Sequence, residues 1–306
     1  MNLEELHQLL TANAQNKTEE YLRLFHGRGN AYDGYGFLTI DSVDKVLFAV
    51  FFEADDDEEK IITMLQKFYA RQLQWEALVI QQRYLPLSPS VVFAGELPKE
   101  TYAIENGLKY HINFLNAQNI GFFPDMKIGR SFIRENAKGK NVLNLFSYTC
   151  SFSVAAIKGG AASVVNVDMN KNVLTIGREN HRLNGLDTKN VQFMPYNILK
   201  SWGRIRKEGP YDLIIIDPPS FQKGSFAATS DYVKIIRRLH EFASPECTVL
   251  SALNAPELHT AFIKTLFSEN APEFCYIERL NNLESFSASD EERSLKNLIF
   301  KKGAIT

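Results

Sequence analysis

Cysteine is scarce in this 306-residue chain: Cys150, Cys247 and Cys275 are the three present, and they are widely spaced. That pattern excludes a disulfide framework and a cysteine-built zinc site, and it fits a reducing cytosol, so a cytoplasmic protein without a metal is expected. No run of 18 apolar residues occurs, which excludes an obvious membrane-spanning helix. The opening "MNLEELHQLLTANAQNKTEEY" has no basic region followed by an apolar stretch and does not read as a signal peptide. The first strand of the α/β pattern described below is not followed by G-x-G-x-x-G, which argues against a dinucleotide pyrophosphate site. Strong charge of one sign is lacking as well, the net charge being −2. Its distribution is uneven. Residues 1–115 carry 10 Lys+Arg against 17 Asp+Glu, and the rest carry 24 against 19. The second part is therefore the better place for a polyanion, although ordinary variation between domains gives an excess of the same size.

What is present is an ordinary globular composition, 45% hydrophobic and 23% charged, in a chain long enough for one large or two medium domains. The early residues read as an amphipathic helix over 3–16, strand-like runs near 21–26, 36–40 and 45–52, a helix over 58–72 and a strand in "ALVIQQRYLP". The acidic run 55–59 reads as a helix start favoured by the macrodipole rather than a metal site. "LKYHINF" alternates like a strand, and "NAQNIGFFPDMKIGRSFIREN" reads as a loop entering a helix.

From Lys140 strands and helices alternate. Strands are expected at 142–146, 163–167, 191–194, 213–216, 248–253, 274–278 and 295–300, with helices at 152–158, 171–184, 229–242 and 256–268. Alternation of this kind specifies a parallel, doubly wound sheet, closed here by two strands that have no helix between them and can pair as an antiparallel hairpin. The expected fold is α/β, a Rossmann-like seven-stranded sheet with a smaller N-terminal α+β domain. Its divisions are a helix at 1–18, a small domain at 19–90 that is a candidate for RNA or substrate recognition, a hairpin and loop at 91–135, and the α/β domain at 136–306.

Ligands of such sheets sit at the carboxyl ends of the strands. At the first strand end, "LNLFSYTCSF" offers Asn144, short side chains and a helix start, which suit a small anion such as an amino acid carboxylate. At the second, Asp168 can accept both ribose hydroxyls, or can serve as the cap of the next helix, and Met169 can pack on an adenine face. At the third, Asn197 can bond an adenine edge. An adenosine joined to an amino acid without phosphate is S-adenosylmethionine. At the fourth, "YDLIIIDPPSF" ends in Asp217, followed by Pro218 and Pro219, whose fixed backbone leaves carbonyl acceptors, and by Phe221, on which a base can stack.

Together "GFFPDMKIGRSFI", "VLNLFSYTCSFSVAAIKGGA", "VNVDMNKNVLTIGRENHRLNG" and "YDLIIIDPPSFQKG" resemble the class I S-adenosylmethionine-dependent methyltransferases of bacterial large-subunit rRNA, the cytosine-5 and guanine-N7 enzymes in particular. The resemblance covers residues 118–300 and does not include the PUA domain of many cytosine-5 members. It implies that Phe122, Asp125 and Arg130 line the cofactor approach, that Asn144, Phe146, Ser147, Tyr148 and Thr149 take the methionine part, and that Asp168 and Met169 take the nucleoside with Asn197 at the adenine amine. It implies further that Asp217, Pro218, Pro219, Ser220 and Phe221 face the acceptor and carry the chemistry. From the residues themselves, Lys223 can track a phosphate, Tyr232 at the start of the next helix can gate the pocket or simply pack, and Asn254 is a further candidate at the acceptor. Cytosine C5 needs a thiolate that adds to the ring first. The stretch after the fifth strand, "VLSALNAPELH", has Ser251 and Asn254 and no cysteine, so a nitrogen acceptor is expected. The implied cofactor is S-adenosyl-L-methionine and the implied partner is RNA, 23S rRNA, with a homodimer left open. A small-molecule or protein N-methyltransferase, and a non-catalytic RNA-binding module that keeps the cofactor fold, are the alternatives.

Overall fold

The computed structural model describes residues 1–115, 118–219, 221–222 and 226–303, with the side chains of Phe221, Gln222 and Phe226 outside that description. Two compact units divide the chain: Met1–Pro124 with Leu283–Asp290, and Asp125–Asn282 with Glu291–Thr306. Residues 1–18, 19–90 and most of 91–135 thus share one unit, which also takes back an excursion from the second.

The first unit starts with α1 (Leu3–Ala14), closed at its N-terminus by a capping box in which Asn2 and Glu5 bond each other's backbone. A five-stranded sheet follows: β1 (Leu22–His26), β2 (Leu38–Val43), β3 (Val46–Phe51), β4 (Ala77–Gln82) and β5 (Ser90–Gly95), in that order. β3 and β4 are parallel because α2 (Glu58–Gln72) crosses between them, and the other pairs are antiparallel. Ile61, Leu65 and Phe68 of α2 and Leu6 and Leu10 of α1 pack on Leu38, Ile40, Leu47 and Ala49. A hairpin of β6 (Tyr102–Glu105) and β7 (Leu108–His111) completes the unit.

The second unit is the doubly wound sheet. After α3 (Lys127–Asn136) come β8 (Asn141–Leu145), α4 (Ser151–Lys158), β9 (Ser163–Asp168), α5 (Lys171–Leu183) and β10 (Val191–Pro195). Then follow α6 (Trp202–Lys207), β11 (Tyr211–Ile216), the two-residue pair β12 (Phe221–Gln222) and β13 (Phe226–Ala227), α7 (Ala228–Ile236) and α8 (Leu239–Phe242). β14 (Ala243–Leu253), α9 (Thr260–Asn270), β15 (Phe274–Leu280) and β16 (Lys296–Lys302) end the chain. The sheet order is β10-β9-β8-β11-β14-β16-β15. β10, β9, β8, β11 and β14 are parallel, and β16 inserts antiparallel between β14 and β15, as the missing last helix suggested. Both faces of the strands are mainly apolar, as covered parallel strands require. On β11, Leu213 and Ile215 meet Ile133 of α3 and Phe152 and Ala156 of α4, while Ile214 and Ile216 meet Tyr232 and Ile235 of α7 and Ile263 of α9. The helix expected over 229–242 is broken into α7 and α8, and the one expected at 256–268 starts later, at Thr260. β8 leads outward to β9 and β10 on one side, and β11 lies on its other side. The carboxyl ends of β8 and β11 therefore flank the point where the strand order reverses, which is where ligands of such sheets bind.

Candidate active site

The loop after β8 is held in an uncommon backbone shape. Phe146, Tyr148 and Cys150, none of them glycine, have φ of 58°, 45° and 61°. Left-handed residues of this kind cost about 1 kcal/mol or more each and persist only where their surroundings hold them. The surroundings are clear here. Ser147 N donates to Val167 O (3.2 Å), Tyr148 N to Asp168 Oδ2 (3.0 Å) and Cys150 N to Ser147 O (2.7 Å), and Asn180 Nδ2 of α5 donates to Thr149 O (2.9 Å). Gly177 of α5 lies so close that a Cβ there would stand 2.4 Å from Cys150 Sγ, so glycine is what lets α5 touch the loop. Alternating left-handed residues curl the backbone into a concave shape suited to anions, and α4 begins directly beyond it.

At the end of β9, Asp168 accepts from Tyr148 N through Oδ2 and from Asn170 N (2.9 Å) through Oδ1. Burial raises its pKa and the two N–H donors oppose that. Asp168 is not the helix cap: Asn170 caps α5, its side chain accepting from Asn172 N at 2.9 Å. Each Asp168 oxygen keeps acceptor capacity for a further donor, such as a ribose hydroxyl. Beside it, Met169 is 49% exposed, and its sulfur takes a contact from Asn197 Nδ2 at 3.4 Å. The Asn197 Oδ1 atom is buried and accepts no hydrogen bond in the structure. A buried acceptor without a donor beside an apolar side chain open to solvent fits the amine edge and face of an adenine. These residues suit the nucleoside of S-adenosylmethionine, as the loop suits its amino acid end.

Across the switch point, Asp217 follows β11 and is half-buried, Pro218 is buried and Pro219 is exposed. Burial, then repulsion from Asp125, push the Asp217 carboxyl up to about 7, against the opposing pull of Arg130. Arg130, on α3, is 2% exposed, and its guanidinium lies 6.0 Å from the Phe152 ring. A carboxyl poised near neutrality beside a second acid and a buried cation is suited to taking a proton.

The remaining expected residues are placed as follows. Tyr232, expected to gate the pocket or to pack, is fully buried on α7, where its hydroxyl meets Ser251 Oγ (2.7 Å), Ala252 O (2.8 Å) and Ile216 O (3.3 Å). It is an internal clamp between β11 and β14, because a buried hydroxyl must find partners and these strand ends supply three. Phe122 is buried in the first unit, stacked on Tyr110 at 4.8 Å. Asn144 is buried, with its Nδ2 donating to Asn166 Oδ1 on β9 at 2.9 Å. Asn254 is exposed just past β14. Ser220 and Lys223 lie outside the described residues, as does the Phe221 side chain. No described thiol is placed as a nucleophile. Cys150 is buried with its pKa raised by burial, Cys247 is buried and pushed up to about 12, and Cys275 lies on β15. Sequence reasoning did not single out Asn166 or Asn180 and gave His181 no role. The signal available was an asparagine inside two apolar strands, "VLNLF" and "VVNVD". Among the described residues no helix is long and apolar enough to cross a membrane, and no group of three or more His, Cys, Asp or Glu could hold a metal ion.

A doubly wound sheet with these residues at its strand ends fits the binding of an adenosine joined to an amino acid. Residues 22–301 match the model of the S-adenosylmethionine-dependent methyltransferase family, and the chain belongs to that family. A ribosomal RNA large subunit methyltransferase I of Aeromonas salmonicida is 35% identical over 195 residues, covering 62% of this chain and 49% of the relative. Bacillus subtilis YwbD, named for a ribosomal RNA large subunit methyltransferase, is 29% identical over 301 residues, covering 92% of this chain and 74% of the relative. The chain spans half or less of the methyltransferase I relatives it matches. The crystal structure of SMU.776, described as a methyltransferase complexed with SAH, superposes with a TM-score of 0.86 at 26% identity, covering 98% of this chain and 82% of that one.

Proposed function

We propose that this chain transfers a methyl group from S-adenosylmethionine to a base nitrogen of large-subunit ribosomal RNA. The observation that carries the reading is Asp217: a half-buried carboxyl held near neutrality at the carboxyl end of β11, followed by two prolines. When bound, the cofactor supplies an electrophilic methyl group on its sulfonium. Asn144 to Thr149 receive its amino acid end, Asp168 its ribose, and Asn197 with Met169 its adenine. Asp217, when ionised, accepts a hydrogen bond from the acceptor nitrogen and takes up the proton that nitrogen gives up. A nitrogen has its own lone pair, so alignment is the main requirement, and well-aligned reactions gain up to roughly 7–11 kcal/mol from positioning alone. A carbon acceptor would call for a thiolate, and no described cysteine is placed to provide one. The names of the relatives support ribosomal RNA as substrate, and such a substrate locates the protein in the cytoplasm.

One observation favours a second reading, a smaller acceptor. Basic side chains near the motif are engaged: Lys234 pairs with Asp231 at 2.6 Å and Arg238 with Glu241 at 2.7 Å. The test is nucleoside mass spectrometry of ribosomal RNA from a strain lacking the gene. Absence of one methylated nucleoside, restored by the purified chain and cofactor in vitro, is expected. Unchanged RNA modification, with no methyl transfer to that RNA in vitro, rejects the RNA reading.

A further inference from the structure

A buried chain of side chains runs from β8 to α5. Asn144 Nδ2 lies 2.9 Å from Asn166 Oδ1, Asn166 Nδ2 lies 3.0 Å from Ser153 Oγ, and Ser153 Oγ lies 3.0 Å from His181 Nε2. His181 Nδ1 then lies 2.8 Å from the Gly177 carbonyl. All four side chains are buried, on a sheet face otherwise packed by Val142, Val164, Phe152 and Ala156.

The end group sets the direction of every bond. A carbonyl only accepts, so His181 Nδ1 carries a hydrogen. If Nε2 carried one as well, Ser153 Oγ would receive hydrogens from both His181 and Asn166, and its own hydrogen would lack an acceptor in a dry interior. Nε2 is therefore the lone pair, Ser153 donates to it, and Asn166 Nδ2 donates to Ser153. Asn166 Nδ2 also reaches Gln192 O at 3.3 Å, so both of its hydrogens are used. Asn166 Oδ1 is then the acceptor for Asn144 Nδ2, and the carboxamide of Asn144 cannot turn over without breaking the series. Burial, which lowers the proton affinity of His181, agrees with the neutral ring. The same turn of α5 touches the loop after β8 twice more, through Asn180 to Thr149 O and through Gly177 against Cys150.

We propose that His181 is a positioning residue for cofactor binding: as the neutral Nδ1–H tautomer it fixes, through Ser153 and Asn166, the orientation of the Asn144 carboxamide, which presents Oδ1 as acceptor to the ammonium group of the bound amino acid. The inference rests on the cofactor reading given above. Apolar residues of similar volume would pack this face without the cost of aligning four polar groups, so a role in orientation accounts for their presence better than packing does.

The test uses the full chain and has two parts. Nitrogen NMR of the labelled protein at neutral pH is expected to show His181 protonated at Nδ1 and bare at Nε2; the other tautomer, or a charged ring, overturns the proposal without any variant. Calorimetric titration with SAH then compares wild type with Ser153→Ala, which removes the donor to Nε2 and frees Asn166. Its dissociation constant is expected to rise about fivefold or more, the usual worth of one internal hydrogen bond. Ser153→Cys, close in shape and a weak donor, gives the same direction if the Ala variant does not fold. A lowered melting temperature with unchanged SAH affinity marks a merely structural role and overturns the proposal. Wild type that fails to bind SAH removes the cofactor reading itself, whereas wild type and variants that bind equally remove only the role of His181.

Discussion

Replacing Asp217 by Asn should stabilise the fold in a pH-dependent way while abolishing transfer. The carboxyl titrates at about 7 in the folded chain against the ordinary 3.8, because burial and Asp125 disfavour its charge more than Arg130 restores it. Below 3.8 the group is protonated in both folded and unfolded chains and contributes nothing. As pH rises from 3.8 to 7 the unfolded chain releases its proton and the folded chain keeps it, so stability falls. Above 7 the whole deficit is present, about 4 kcal/mol from a shift of about three units. Solvent at a half-buried carboxylate reduces that to on the order of 2 kcal/mol. Roughly two thirds of the titration lies between pH 5 and 8, and the Asn side chain does not titrate. In urea unfolding, Asp217→Asn should therefore gain on the order of 1–2 kcal/mol over wild type between pH 5 and pH 8. A difference between the two proteins that stays constant across that interval, or reverses, refutes the electrostatic argument.

Further outcomes follow from the same geometry. Asp125→Asn removes a negative charge that raises the Asp217 pKa, so the acidic limb of the pH–rate profile should move to lower pH; a move to higher pH contradicts the arrangement. Gly177→Ala places a methyl group against Cys150 and should cost about 1–3 kcal/mol, read as a lowered melting temperature together with weaker SAH binding. The double variant Cys247→Ala, Cys275→Ala should retain methyl transfer to within about a factor of two; near-complete loss would instead implicate a thiol nucleophile.

The second unit was legible because covered parallel strands leave continuous apolar runs: "VLNLF", "VVNV" and "LIII" mark β8, β9 and β11 without knowledge of their partners. The strand ends followed, since Asp168 and Asp217 are the first carboxylates after those runs. β5 was missed although its inward and outward residues alternate, because Pro86 and Pro89 just before it read as a loop. Nothing local in Leu283–Asp290 says that it leaves the second unit to pack Phe286 beside Arg23 and His26. Tyr232 was left open between a pocket and the core for a similar reason: a tyrosine opening an amphipathic helix has the same sequence whether its hydroxyl faces a pocket or the ends of β11 and β14. The partners of Asn144 are 9 to 37 positions away in sequence, so the relay became visible only when the strands were paired.

The central claim is that the mouth of the seven-stranded sheet receives an adenosine joined to an amino acid. Calorimetric titration of the purified chain with SAH tests it most directly. One bound molecule per chain is predicted, with affinity reduced by Asn197→Ala. No binding of SAH by a folded chain that binds a nicotinamide dinucleotide would contradict it.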